Sequence, residues 1–246
     1  MNYNSIPIGM GNFVNTTSAN SKTKHKHPFW HFWECTRCSS PSEETRQQLL
    51  AAAFDEIHQC GFQAASINHI LKRTGVTKGA LYHHFPSKTS LGYAVVDEMI
   101  HAEVRGLWIA PLQTGNPIDA IIQPLKISGE QLTLEDIKLS CPLNNLAQEM
   151  APIDEGFRQR IEAIYQEWRT ALATALRRGQ DNGEVRQNIE PENLAVMLIA
   201  TMEGCIGMAK NAQSRDILLS CGDSLINLLE GLRTPAKTNN NQLNKD

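Results

Sequence analysis

The chain has 246 residues, 41% hydrophobic and 20% charged, with a formal net charge of −3. These totals fit one large or two smaller globular domains and exclude a polycation. Six cysteines are too few for a disulfide scaffold, no apolar run reaches the roughly 20 residues a bilayer requires, and the polar N-terminus lacks a signal-peptide core, so no membrane partner and a reducing cytoplasm are expected.

Residues 1–42 are rich in Asn, Ser and Thr and end in "SKTKHKHPFWHFWECTRCSSPS". No helical or strand period holds there, which predicts a disordered extension or a start upstream of the native one. His31, Cys35 and Cys38 form a weak zinc candidate. A lone Cys-x-x-Cys without a second pair falls short of a structural zinc site, so no metal and no cofactor is assigned.

From Glu43 the pattern turns helical. Leu50, Ala53, Phe54 and Ile57 recur on one face and Gly61 ends the run. Ser66 is placed to cap a second helix with Ile67, Ile70 and Leu71 inward. Thr74-Gly75 breaks it, and Thr77 caps a third helix anchored by Leu81 and Phe85. Ser87 caps a fourth, running to about Trp108. Asn116-Pro117 and Cys141-Pro142 each read as a helix start with proline in the first turn. Residues 155–179 are amphipathic, Pro191 opens another helix, and Arg215 to Arg233 closes the series. No alternating strand pattern occurs, so the expected class is all-α. The expected divisions are an N-terminal unit of short helices at 43–92, a helical body at 93–232 and a loose tail at 233–246.

Two short helices joined by a glycine-containing turn are the helix-turn-helix pattern, whose second helix enters the DNA major groove. The stretch "GVTKGALYHHF" carries that second helix, and residues 57–96 contain no Asp or Glu. With Leu81 and Phe85 inward, Lys78, Gly79, Tyr82 and His83 fall on or beside the outer face. Gly79 lets the backbone approach a base edge, Tyr82 supplies a ring and a hydroxyl, and Lys78 supplies a cation. Absence of carboxylates suits a surface that meets phosphates.

Residues 44–96, and above all "GVTKGALYHHFPSK", resemble the N-terminal domain of TetR/AcrR-family transcriptional repressors. The resemblance implies a TetR-like fold of about nine helices: a three-helix DNA-binding domain followed by a ligand-binding and dimerisation domain. It implies a homodimer on a palindromic double-stranded operator, released by a small-molecule inducer. Carried onto this chain, it makes Lys78, Gly79 and Tyr82 groove-facing, and Ser66, Thr77, His83, His84 and Lys88 phosphate or sugar contacts. Ser66 and Thr77 can equally be helix caps, and His84 a packed histidine. A homodimer would set its recognition helices about 34–36 Å apart.

The family architecture implies that the last two long helices pair with their copies. Gly204, Cys205 and Gly207 among Leu198, Met202 and Met208, and the stripe Leu218, Leu225, Ile226 and Leu229, fit such a bundle or a monomer core. An effector pocket is expected within 93–180, with Trp108, Tyr165 and Trp168 among its candidates. No charge cluster there selects a cationic or anionic ligand. Cys141, ahead of Pro142 at a helix start, is first read as a small buried residue lining the cavity or capping the helix; the competing reading is a thiol whose pKa the helix dipole lowers and which reacts with electrophiles or oxidants. The stretch "LSCPLNNLAQEM" resembles one found in a TetR subgroup, with Ser140 and Asn144 where that subgroup has glycine.

Competing readings are an activator or a regulator without small-molecule input, and a helical metalloenzyme. The enzyme reading rests on Glu98 and His101, an ExxH pair with no second copy. No P-loop, Gly-x-Ser-x-Gly or HExxH occurs, so no enzyme is expected.

Overall fold

A computed structural model of the chain describes residues 40–235. The zinc candidates His31, Cys35 and Cys38 therefore lie outside the described residues, and among the described residues no group of His, Cys, Asp and Glu is placed to hold a metal.

Helix α1 is Pro41–Cys60, two residues earlier than the expected boundary. Ser40 caps it, Pro41 opens it and Glu43 and Glu44 face the positive end of its dipole. It stops at Gly61, whose φ of 82° suits glycine. Helices α2 (Ile67–Thr74) and α3 (Lys78–His84) follow. The fourth helix, α4, is one continuous rod with two π turns: Lys88–Ala94, the π turn Val95–Ile100, His101–Val104 and the π turn Arg105–Ile109. A 3-10 turn, Ala110–Gln113, closes it.

The rest of the body is α5 (Pro117–Gln131), α6 (Leu134–Leu139), α7 (Pro142–Met150), α8 (Glu155–Asp181), α9 (Pro191–Ala212) and α10 (Arg215–Glu230). No strand occurs among the described residues, only a bridge between Val185 and Arg233. The all-α expectation is met.

A single apolar core runs through both units. Leu49, Leu50 and Phe54 of α1 pack with Ile70, Leu81 and Phe85 to close the N-terminal three-helix unit. Phe157 and Trp168 of α8 belong to the same core. Phe62 and Phe157 stack with ring centroids 4.6 Å apart, welding the α1–α2 loop to α8.

Two expectations, the first and third below, need correction, and one competing reading loses its residues. First, Arg233 is not part of a loose tail. Its guanidinium binds Asp119 and Glu230, and the adjacent backbone bonds Arg186 N–H to Leu232 and Thr234 N–H to Glu184. Secondly, the ExxH pair is split between two ion pairs. Glu98 takes Arg46 at 2.7 and 2.5 Å, while His101 Nε2 lies 2.5 Å from Glu167, so neither is oriented as a metal ligand. Thirdly, α9 is long and apolar enough to cross a membrane by length and composition alone. Here Leu194, Ala195, Leu198, Ile199 and Met202 are buried inside the fold.

The expected interface stripes also divide. Leu198, Met202, Leu225 and Leu229 point into the chain's own core. A different face remains outside: Val196, Met197 and Met208 of α9 and Leu228 of α10 are exposed, and a Cβ added at Gly204 or Gly207 would meet nothing within 4 Å.

Candidate nucleic-acid interface and effector cavity

The turn between α2 and α3 depends on Gly75, which is left-handed at φ 71° and ends α2 by donating its N–H to Leu71. Thr77 then caps α3, its hydroxyl oxygen accepting from Ala80 N–H at 3.2 Å. Leu81 is fully buried and Phe85 nearly so, which fixes the rotation of α3.

That rotation turns Lys78, Gly79, Tyr82 and His83 outward. Tyr82 is 38% exposed, although aromatic, and Lys78 Nζ lies 5.9 Å from its ring centroid. A Cβ added at Gly79 would meet nothing, so the surface is open there. His84 is half-buried, its ring 5.3 Å from that of His83 and 6.4 Å from Phe85. Four of the anticipated residues therefore share one exposed face.

The remaining ones are held elsewhere. Ser66 does not cap α2 with its side chain; its N–H donates instead to buried Glu56 at 3.1 Å, an oxygen that His69 Nδ1 also approaches at 3.2 Å. Lys88 Nζ donates to the Gln63 carbonyl at 2.9 Å and lies over Phe62. The acid-free stretch is thus not free of carboxylates in space. Asp55 pairs with Arg73 at 2.5 Å, and Glu149 of α7 accepts from Phe62 N–H and Gln63 N–H, both at 2.8 Å. Lys72 and Lys78 remain exposed near the outer face of α3.

Helix α7 joins this unit to the second site. At its N-terminal end, Ser140, at φ 66°, offers its carbonyl to His58 Nε2 at 2.8 Å. At its other end sits Glu149. The next residues after Ser140, Cys141 to Leu143, line a cavity of about 400 Å³.

Of the anticipated pocket residues, Trp108, Trp168 and Cys141 line this cavity and Tyr165 does not; it is half-buried against the core. The two indoles are tilted by 31° with centroids 5.4 Å apart. Helices α9 and α10 contribute much of the wall, beyond the expected 93–180 limits. Glu103 and Glu203 were missed altogether. Both line the cavity, and burial pushes each up to about 7, with the Cys141 hydrogen bond pulling Glu203 the other way. An acid inside the apolar run "LAVMLIATMEGCIG" was the available signal.

Cys141 lines the cavity as a largely buried residue, and the dipole-lowered thiol pKa of the competing reading is not found. Burial, then the nearby Glu203 carboxylate, holds its thiol well above the ordinary range, and Sγ donates to Glu203 Oε1 at 3.3 Å. The helix dipole is outweighed because the thiolate would be buried beside a carboxylate. Glu203 Oε2 and Trp168 Nε1 are buried without a hydrogen-bond partner among the described residues.

Two stretches of the chain match known protein-family patterns. The pattern described as "Bacterial regulatory proteins, tetR family" matches residues 49–95. The "Tetracyclin repressor-like, C-terminal domain" pattern matches residues 130–219. The chain is 26% identical over 171 residues to the transcriptional regulator AcuR of Cereibacter sphaeroides, covering 67% of this chain and 75% of that one. It is 26% identical over 194 residues to the transcriptional repressor NemR of Escherichia coli strain K12, covering 78% and 96%. The crystal structure of reduced E. coli NemR superposes with a TM-score of 0.67 at 27% identity, over 78% of this chain and 99% of that one. A TetR regulator from Chloroflexus aurantiacus J-10-FL superposes with a TM-score of 0.69 at 28% identity, over 78% and 98%.

Proposed function

Because the chain belongs to the TetR family, and so is a transcriptional regulator and not an enzyme, we propose that it is a cytoplasmic repressor that binds a palindromic operator as a homodimer and is released by a small molecule. The observation that carries the reading is the rotation of α3. Leu81 and Phe85 are locked beneath it while Lys78, Gly79, Tyr82 and His83 face out together. A helix held this way offers a cation, a flat hydroxyl-bearing ring and a close-approach glycine to base edges. Thr77 and His84 at its two ends, and Ser66 and Lys88 beside it, are assigned to the phosphate backbone.

Homodimerisation is supported by the exposed apolar residues Val196, Met197 and Met208 of α9 and Leu228 of α10. Repression is the mode named for NemR. Release is supported by α7, whose N-terminal end lines the cavity and whose Glu149 grips the α1–α2 loop. A ligand that moves the cavity wall therefore acts on the DNA-binding unit through one rigid helix.

The test is a fluorescence-anisotropy titration of the chain against its own upstream DNA at several salt concentrations. Specific binding should weaken steeply with salt and saturate at two chains per operator. Equal affinity for upstream and unrelated DNA would contradict the reading.

A further inference from the structure

The cavity behind α7 has a chemistry of its own. Its apolar wall includes the tilted pair Trp108 and Trp168, while Glu103 and Glu203 bring carboxylates to the same lining, as do Glu130, Asp136 and Asp223. Glu203 is 9% exposed and its Oε2 has no partner among the described residues; Trp168 is 3% exposed and its Nε1–H has none either. Both residues border the cavity, and leaving such buried groups without partners is unfavourable, so a ligand whose arrival lets them find partners is stabilised there. Cations in the lining are limited to Lys126 and Arg215, both exposed, and Arg215 already donates to the Gly129 carbonyl. Neither is paired with Glu203 among the described residues, and its Oε1 takes the Cys141 thiol.

We infer that this cavity binds a lipophilic organic amine that also carries an acceptor oxygen, its ammonium against Glu203 and Glu103, its acceptor on Trp168 Nε1–H and its apolar body against the tryptophan pair. The ammonium supplies the counter-charge that the two carboxylates lack, and the indole faces attract the same cation. A carboxylate ligand would meet two acids, and a neutral alcohol would leave them without a counter-charge. An amine also agrees with their ionisation: both acids are pushed up to about 7, and an ammonium beside them favours the charged form. The inference rests on the proposed effector role of the cavity for its biological meaning, while the binding itself does not.

Three probes with one apolar body separate the possibilities: 3-(1-naphthyloxy)propylamine, the matching alcohol and the matching carboxylate. Each is titrated calorimetrically into the full chain without DNA. The amine should bind about tenfold tighter than the alcohol or better, with the carboxylate weakest. Glu203→Gln should bring amine and alcohol to within about threefold of each other. Should Glu203→Gln fail to fold, Glu103→Gln is expected to narrow the same ratio. Equal binding of alcohol and amine, no binding of any probe, or full amine preference in both variants would each overturn the inference. Operator release is read separately. Charge-selective binding without release keeps the site and ends the effector reading. Release by the alcohol as effectively as by the amine keeps the effector reading and ends the amine assignment.

Discussion

The Glu149 carboxylate accepts from the backbone N–H of Phe62 at 2.8 Å, reaching from α7 into the loop that precedes the helix-turn-helix. Its other oxygen takes Gln63 N–H at the same distance. Gly61 makes room for this: a Cβ there would lie 2.8 Å from Glu149 Oε2. Glu149→Ala removes two charge-assisted bonds, with an expected loss of about 2–3 kcal/mol of stability. Thermal melting should show it, and effector release of DNA should become weaker than in the wild type. An unchanged melting temperature together with unchanged release would contradict the linkage assigned to α7.

Recognition should fail at α3 without loss of fold. Tyr82→Ala and Lys78→Ala remove exposed side chains that contribute nothing to the core. Each is expected to cost about 1–3 kcal/mol of operator affinity per half-site, at fixed salt, with helicity retained. Normal affinity in both variants would refute the assignment of this face.

Leu81→Asp should do the opposite. Leu81 is fully buried at the base of α3, and an unpaired carboxylate there has no compensating partner. Loss of cooperative melting of the N-terminal unit is expected, with operator binding abolished as a consequence. A folded, DNA-binding Leu81→Asp chain would be inconsistent with this packing.

Stability should carry a pH signature from the cavity. Glu203 titrates at about 7 when folded against an ordinary 4.5, chiefly because burial disfavours its charge. The folded state therefore holds this proton more tightly than the unfolded chain. Its contribution is complete below about 4.5 and is lost as pH rises through about 7, amounting to about 3 kcal/mol at most. Glu103 acts in the same window and with the same sign. Asp154, held low first by the Phe157 N–H, works with the opposite sign in a lower window. Glu203→Gln should flatten its share of the decline, as read by denaturant melts across that range. A wild-type minus variant difference that does not change between those limits would exclude the buried-acid account.

Cys141 should be a slow nucleophile. Its thiol is buried and beside Glu203, whereas Cys60 is exposed at the end of α1. Brief treatment with N-ethylmaleimide, followed by peptide mass spectrometry, should label Cys60 well before Cys141. Faster labelling of Cys141 would restore the electrophile-sensor reading.

What could be read along the chain was whatever is settled within a few residues. Thr77, Ser87 and Asn116 cap helices because each side chain bonds an N–H two or three positions on. Gly75 breaks the chain between α2 and α3 because of its own φ. Helix α6 was legible in the same way, since Thr133 and Asp136 form a reciprocal cap, yet the apolar pattern around it was too short to be noticed. The outward turn of α3 also followed from spacing, because Leu81 and Phe85, four apart, can only face one side.

Everything that depends on partners distant in sequence was decided by packing. Glu149 meets Phe62 across 87 positions, and Cys141 meets Glu203 across 62. No local pattern marks which carboxylate will pair, as Glu98 does with Arg46, and which will stand in a cavity, as Glu203 does. The same holds for α9: its length and apolarity are sequence properties, but which stripe is buried and which stays exposed depends on where α8 and α10 lie against it. Periodicity and capping are short-range energies. Cavities, coupling and pKa shifts arise from desolvation and charge proximity, which exist only once the helices have been brought together.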